Sequence, residues 1–318
     1  MATYVLRRLI QAVPILLGIA VISFMIIYLA PGEPIDRFRS GRVSPQTIEN
    51  LRRLYGLDQP LPQQLLSWMV AFFQVWRVDA WGYSFTDGQP VITKIAARVP
   101  YTLELMGTSL FLTVIIAIPV GVLGAVRQYS WADKIIMVLA TIGYAMPTFW
   151  LGLVLKFVFA IKLDLFPLFG RHTYGDDSIG DLVWHLVLPV MTLTIVSVAG
   201  WSRYMRSSML EVLHQDYVRT ARAKGLPGSR VLFKHALRNA LIPIVTLLGL
   251  TIPSLLVGAA VTEAVFAWPG LGGMGVTAVI ERDYPAVLAF VMVGGAMVIL
   301  GNLLADVLYA FVDPRIKY

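Results

Sequence analysis

The chain has no cysteine and only four histidines, and Asp, Glu, Lys and Arg together make up just 14% of its 318 residues. Without cysteine there is no disulfide, no thiolate metal site and no thiol nucleophile. His172, His185, His214 and His235 are scattered and do not stand at ligand spacing, so no metal site and no cofactor is expected. There is no Gly-Lys dipeptide anywhere, hence no G-x-x-x-x-G-K-[ST] loop to cradle nucleotide phosphates. A soluble domain carries about 25% charged residues, so the scarcity of charge places the chain in a lipid bilayer.

What is there agrees. Hydrophobic residues make up 57% of the chain, and the mean hydropathy is +0.72. A bilayer core about 30 Å thick needs roughly 20 apolar helical residues to cross, because lipid satisfies no backbone amide. Six segments meet that length: residues 9–30, 105–126, 135–160, 182–201, 240–262 and 286–305. The first follows Arg7 and Arg8, as a signal peptide would, but it is too long for a signal core and no small-residue cleavage site follows. It is therefore read as an uncleaved span. Pro14, Pro119, Pro147, Pro189, Pro243 and Pro253 predict kinks.

The net charge of +7 is a membrane-side bias and not a nucleic-acid footprint. Arg and Lys gather in short loops on one side: Arg7 and Arg8, Arg127 and Lys134, the run from Arg203 to Arg238, then Arg315 and Lys317. The positive-inside rule puts that side, with both termini, in the cytoplasm. The 31–100 stretch is then a long outer loop. Within it Ser44 and Pro45 predict a helix start, with Ile48, Leu51 and Tyr55 on one face and a stop at Gly56. The aromatic segment over residues 62–81, with Trp68, Trp76 and Trp81, is expected at the membrane interface.

The longest inner loop, about 203–239, is too regular for a slack linker. Leu210, Leu213, Tyr217 and Ala221 recur at helical spacing, and Gly225 predicts a helix stop. Pro227-Gly228 predicts a turn and Ser229 the cap of a second helix. Positive charge alone explains none of the small residues Ala221 and Ala223, which allow another surface to come close.

The run DYVRTARAKG, Asp216 to Gly225, followed by FKHALRNALIP, resembles the EAA loop of ABC-importer permeases in its dipeptide, oligopeptide and nickel form. So do LRRLIQAVPILLGIAVISF near the start, GYSFTDGQPVITKIAARVPYTLEL from Gly82, and FAWPGLGGMGVTAVIERDYP from Phe266, so the likeness covers nearly the whole chain. The general motif begins Glu-Ala-Ala where this chain has Arg219-Thr220-Ala221. It has Leu-Pro where this chain has Leu237-Arg238, with a proline only at Pro243. The resemblance implies an all-α membrane protein with six transmembrane helices of the type I importer architecture. It assigns residues 1–30 to the first helix, 31–100 to an extracytoplasmic region, 101–311 to the transmembrane domain proper and 312–318 to a cytoplasmic tail.

It further implies a non-catalytic subunit of a bacterial or archaeal inner-membrane importer of peptide-like substrates. The implied partners are a second, homologous permease, two ATP-binding subunits and an extracytoplasmic solute-binding protein. Residues 220–225 would form the tip of a coupling helix, with Arg219, Thr220, Ala221, Arg222, Lys224 and Gly225 at the ATPase contact.

Gly270, Gly272 and Gly275 match the dinucleotide fingerprint G-x-G-x-x-G, but no βαβ unit surrounds them. Trp268, Pro269, Gly270 and Gly272 are expected instead in a tight loop dipping into the outer mouth of the pathway, with Asp283 capping the last helix. Glu104 and Lys156 are expected to pair, Asp306 to face the bundle or the interface, and His172 and His185 to be ordinary surface or interface residues. The competing reading is an ion- or proton-coupled carrier, which calls for paired repeats and mid-membrane acids.

Overall fold

A computed structural model describes residues 2–29, 44–257 and 259–312. Helix α1 is Ala2–Leu29, α2 Pro45–Leu54, α3 Leu61–Phe73, α4 Val91–Val126 and α5 Trp131–Ala145. Helix α6, Thr148–Leu155, continues as a π-helix, Lys156–Lys162, and α7 is Ile179–Leu213. Then come α8 Asp216–Ala223, α9 Gly228–Arg230, a π-helix Val231–Leu237 and α10 Arg238–Ala240. The chain closes with α11 Ile242–Val257, α12 Ala260–Phe266, α13 Leu271–Ile280 and α14 Tyr284–Val312. Among the described residues there is no strand, only an isolated bridge between Tyr83 and Pro90.

Among the described residues, four helices are unbroken and apolar enough to cross a bilayer: Ile10–Leu29, Val91–Val126, Ile179–Leu213 and Tyr284–Ala305. With 36 and 35 residues, α4 and α7 are each about 50 Å long and overrun the spans expected from hydropathy. They lie side by side. Leu105, Ser109, Thr113, Ala117 and Gly121 recur every fourth residue on the buried face of α4, a row of mostly small residues that lets the backbones approach, as lipid-embedded helices require. Ser109 meets Thr194 at 3.3 Å, and Gly121 packs on Met205 and the Ser202 carbonyl.

The other two spans are broken. Residues 135–160, expected as one helix, bend by 104° between Trp131–Ala145 and Thr148–Lys162. The break falls at Met146-Pro147, where the proline has no N–H to continue the ladder. Pro14, Pro100, Pro119, Pro189 and Pro253 sit inside helices that run on through them. Pro243 lies in the first turn of α11, where a missing N–H costs nothing. The fifth span, expected over residues 240–262, divides into α11 and the seven-residue α12.

At the α3 end of the bundle, Ser44 Oγ accepts from Thr47 N–H at 3.1 Å, starting α2 as expected. Gly56 has φ 65° at its stop. Helix α3 has 13 residues, too short to span. Trp81 folds back on it, stacked on Phe72 with centroids 5.2 Å apart and donating Nε1–H to the Phe72 carbonyl at 3.0 Å.

One expected pairing and one expected placement are corrected. Glu104 bonds Arg171, not Lys156: the guanidinium donates from Nε at 2.8 Å and from its second amino group at 3.1 Å. The Lys156 ammonium donates to the Val265 carbonyl at 2.6 Å. Of the two histidines expected at the surface or interface, His185 is buried and His172 half-buried. His172 bridges Arg171, at 2.7 Å, and Asp181, at 3.1 Å, while His185 is buried one turn from Asp181. A guanidinium only donates, so Nε2 of His172 accepts and Nδ1–H faces the carboxylate. The Asp306 side chain lies outside the described residues.

Candidate functional site

Helix α8 is short and two-faced. Val218 and Ala221, three residues apart, are buried in one apolar cluster with Met205 and Met209 of α7 and with Val231, Ala236 and Ala240. Arg219, Thr220, Arg222, Ala223, Lys224 and Gly225 are exposed on the other side. Ala221 thus spends its small side chain on the approach of α8 to α7 inside this chain, and not on the outward face where the sequence pattern suggests it. The helix ends in a Schellman turn: Gly225 N–H bonds the Arg222 carbonyl at 2.9 Å and Leu226 N–H reaches the Ala221 carbonyl at 3.4 Å. Gly225 has φ +74° and faces open space, so its backbone conformation, and not crowding, calls for glycine.

The expected single helix from Leu210 to Lys224 is two, because α7 stops at Leu213 and α8 restarts at Asp216. Pro227 stands at the start of α9, so Ser229 lies inside that helix and not at its cap. Asn239 Nδ2 donates to the Tyr217 hydroxyl at 3.0 Å, and Ser208 Oγ to the Ala240 carbonyl at 3.0 Å. These bonds and the shared cluster fasten α8, the following π-helix and α10 to the end of α7.

The second constellation lies at the opposite end of α4. Residues Leu271–Ile280 are helical where a tight loop is expected, and α12 and α13 meet in an elbow of 85°. Ala267 turns the corner at φ 49°. Glu263, with no exposed surface, sits inside the elbow. It accepts from Thr102 Oγ1 at 3.0 Å and from Gly273 N–H at 2.7 Å, while Thr102 Oγ1 accepts from Leu271 N–H at 2.7 Å. The carboxyl group thereby satisfies the free amides and positive end of α13. Gly270 leaves room for it, since a methyl there would overlap the Glu263 side chain.

Trp268 is buried and donates Nε1–H to the Tyr101 carbonyl at 2.9 Å. The expected pathway residues Trp268, Gly270 and Gly272 are therefore buried in the brace of this elbow, with Pro269 half-buried beside them. Asp283 precedes α14, but its carboxylate accepts from Phe85 N–H at 3.0 Å and from Ser84 Oγ, tying in the 82–90 loop instead of capping the helix. Thr86 Oγ1 adds a bond to Glu281 at 2.6 Å.

The profile of the binding-protein-dependent transport system inner membrane component family matches residues 117–318, and that of the family's N-terminal region matches residues 1–106. The chain belongs to this family. The oligopeptide transport system permease protein AppB of Bacillus subtilis (strain 168) is 45% identical over 320 residues, covering 100% of both chains. The dipeptide transport system permease protein DppB of Escherichia coli (strain K12) is 38% identical over 343 residues, covering 100% of this chain and 99% of its own. Among solved structures, a chain of the MetNI methionine ABC transporter, described as inward-facing, matches 69% of this chain and 98% of its own. Its TM-score is 0.52 at 18% identity, and that likeness speaks for the fold alone.

Within this inner-membrane component the sequence pattern marks helix α8 but does not reveal Thr102 and Glu263. The one available signal is a glutamate next to the FAWPGLGG run. Nor does it reveal the ion pair of Asp133 with Arg206, which are 73 residues apart.

Proposed function

We propose that the chain is the membrane-spanning permease subunit of an ATP-driven importer of peptides, both termini cytoplasmic, paired with a second, homologous permease. Two ATP-binding subunits dock at the α8 end. An extracytoplasmic solute-binding protein delivers substrate at the α3 end. The observation that carries this reading is α8 itself: a short helix anchored by Val218 and Ala221 that presents Arg219, Thr220, Arg222 and Lys224 outward up to the turn at Gly225. Among the described residues nothing covers the polar side of this helix, and two guanidinium groups suit carboxylates on a partner surface. Relatives named as oligopeptide and dipeptide permeases support the peptide substrate. Nucleotide-driven closure of the two ATPases moves the two α8 ends together and rocks the permeases between inward-open and outward-open states. Hydrolysis belongs to the partners.

The absence of native cysteine makes the test direct. Ala223→Cys places one thiol on the exposed face of α8. Expressed with the ATP-binding subunits of the same cell, it is expected to crosslink to one of them in a nucleotide-dependent manner. If no ATPase is captured and none co-purifies with the unmodified chain, the importer reading fails and ion-coupled transport takes its place.

A further inference from the structure

Asp133, in the first turn of α5, and Arg206, near the α8 end of α7, form a two-pronged ion pair. Nε donates to one carboxylate oxygen at 2.6 Å and the second amino group to the other at 2.7 Å. Both side chains are largely shielded, 18% exposed for Arg206 and 5% for Asp133. Tyr129 N–H, in the turn between α4 and α5, donates to the same carboxylate at 3.0 Å, and Ser130 caps α5 by accepting from Asp133 N–H at 3.3 Å. Three pieces of chain thus meet at one carboxylate.

The position of the pair is what gives it a consequence. Arg206 lies in sequence between Met205 and Met209, two buried α7 residues of the cluster that buries α8. At the far end of α5 the chain breaks by 104° into α6, and the segment beyond the break is held to the elbow through Lys156 and the Val265 carbonyl. Helix α5 is therefore a rod of 15 residues with its first turn pinned to the α8-bearing part of α7 and its last turn at the Met146-Pro147 break. Further along, α5 meets α7 mainly through apolar contact, as where Gly143 meets Ala199, with the Arg203 guanidinium 5.8 Å from the centroid of the Tyr144 ring. Apolar contact is non-directional and lets one helix slide on another, whereas a bidentate guanidinium–carboxylate pair admits one register.

Resting on the permease reading above, we propose that the Asp133–Arg206 pair is the positioning contact that carries displacement of α8 into α5, so that the α5–α6 break turns with the nucleotide state of the docked ATPases. Neither residue touches substrate or nucleotide. Removing one partner leaves the docking face of α8 intact but frees the first turn of α5 from α7, so hydrolysis continues and transport does not.

The test uses the full complex in proteoliposomes, with Asp133→Asn, Arg206→Gln, and the exchange of both as Asp133→Arg with Arg206→Asp. The single variants are expected to assemble with the ATPases in normal yield and to hydrolyse ATP, while uptake per ATP falls about tenfold or more, the scale of an ordinary coupling free energy. The exchanged pair is expected to recover uptake. A second readout uses spin labels on Val138→Cys and Leu153→Cys, exposed positions on α5 and α6. Their separation is expected to change with nucleotide in the otherwise unaltered complex and to stop changing in the single variants. Normal uptake in the single variants overturns the proposal. So does a parallel loss of assembly, hydrolysis and uptake, or a label separation indifferent to nucleotide in the unaltered complex. Failure of the permease reading is separate, because the unmodified chain then captures no ATPase at all.

Discussion

Thr102 on α4 and Glu263 on α12 are hydrogen bonded at 3.0 Å across 161 positions of sequence, and the same threonine hydroxyl accepts the Leu271 amide at 2.7 Å. One hydroxyl is thus donor and acceptor at once, and a carboxyl group with no exposed surface depends on it. Thr102→Val keeps the shape and removes both bonds, stranding a buried N–H and a carboxyl oxygen at a cost of about 1–3 kcal/mol each. Thermal unfolding of the purified protein in detergent is expected to show that loss for Thr102→Val. Thr102→Ser, which keeps the hydroxyl, is expected to stay near the parent. Equal stability of the valine and serine variants would remove the hydroxyl from the account.

Gly225 tests whether the end of α8 is set by backbone conformation or by crowding. It has φ +74° with no atom within 4 Å of where a side-chain methyl would stand, so the left-handed conformation is its only demand. A β-branched residue there costs about 1–3 kcal/mol in local strain, while asparagine enters the left-handed region readily. Gly225→Val is expected to abolish ATP-coupled uptake with membrane insertion unchanged, and Gly225→Asn to retain most of it. If both fail alike, a close neighbour at Gly225 in the assembled complex, and not φ, is the reason for glycine.

Local chemistry is legible in the sequence and distant pairing is not. Ser44 as the start of α2 and Gly225 as the end of α8 can be read because each is decided within one helical turn. The spans of α4 and α7 can be located, but they come out too short: apolar content marks where lipid lies, and says nothing of polar turns that continue beyond it. Assigning charged residues by depth pairs Glu104 with Lys156. The partner, Arg171, is on a loop that hydropathy leaves unplaced. Glycines 272 and 275 read as a loop because propensity disfavours glycine in helices, while Gly270 does stand outside the helix, at the N-cap of α13. Close packing of Gly272 on Ala260 and of Gly275 on Phe290 overrides that preference.

The Glu104–Arg171 pair fastens the loop after α6 to α4. Both nitrogens reach the carboxylate, and a third contact, from Arg171 to His172 at 2.7 Å, uses the same planar group. The carboxylate beside it holds the guanidinium more firmly protonated than usual, against the opposing effect of partial burial. Lysine carries the same charge but a single ammonium, unable to serve both oxygens and the imidazole in that plane. Arg171→Lys is expected to cost about 1–2 kcal/mol and to increase protease cleavage in residues 163–178 while membrane insertion is unchanged. An unaltered cleavage pattern would mean that the loop is held by something other than this pair.

Asp283 makes the corresponding connection for the 82–90 loop. Its carboxylate, 1% exposed, accepts the Phe85 amide at 3.0 Å and the Ser84 hydroxyl, while Lys94 reaches Ser84 at 2.9 Å and Asp87 at 2.9 Å. The Phe85 amide is thus protected from exchange by a side chain 198 residues away. A hydrogen bond to a charged group contributes about 1.5–3 kcal/mol, which corresponds to roughly ten- to a hundredfold in the opening equilibrium. Asp283→Ala is expected to speed hydrogen exchange at Phe85 by that factor, with exchange in α4 and α7 unchanged, because the loss is confined to one loop and the junction of α13 with α14. Asp283→Asn retains one acceptor oxygen and is expected to fall between. Were the Phe85 amide to exchange at the parent rate in the alanine variant, the bond would contribute nothing to holding this loop, and contacts such as the Tyr55–Phe85 edge at 4.7 Å and the Thr86–Glu281 bond would hold it instead.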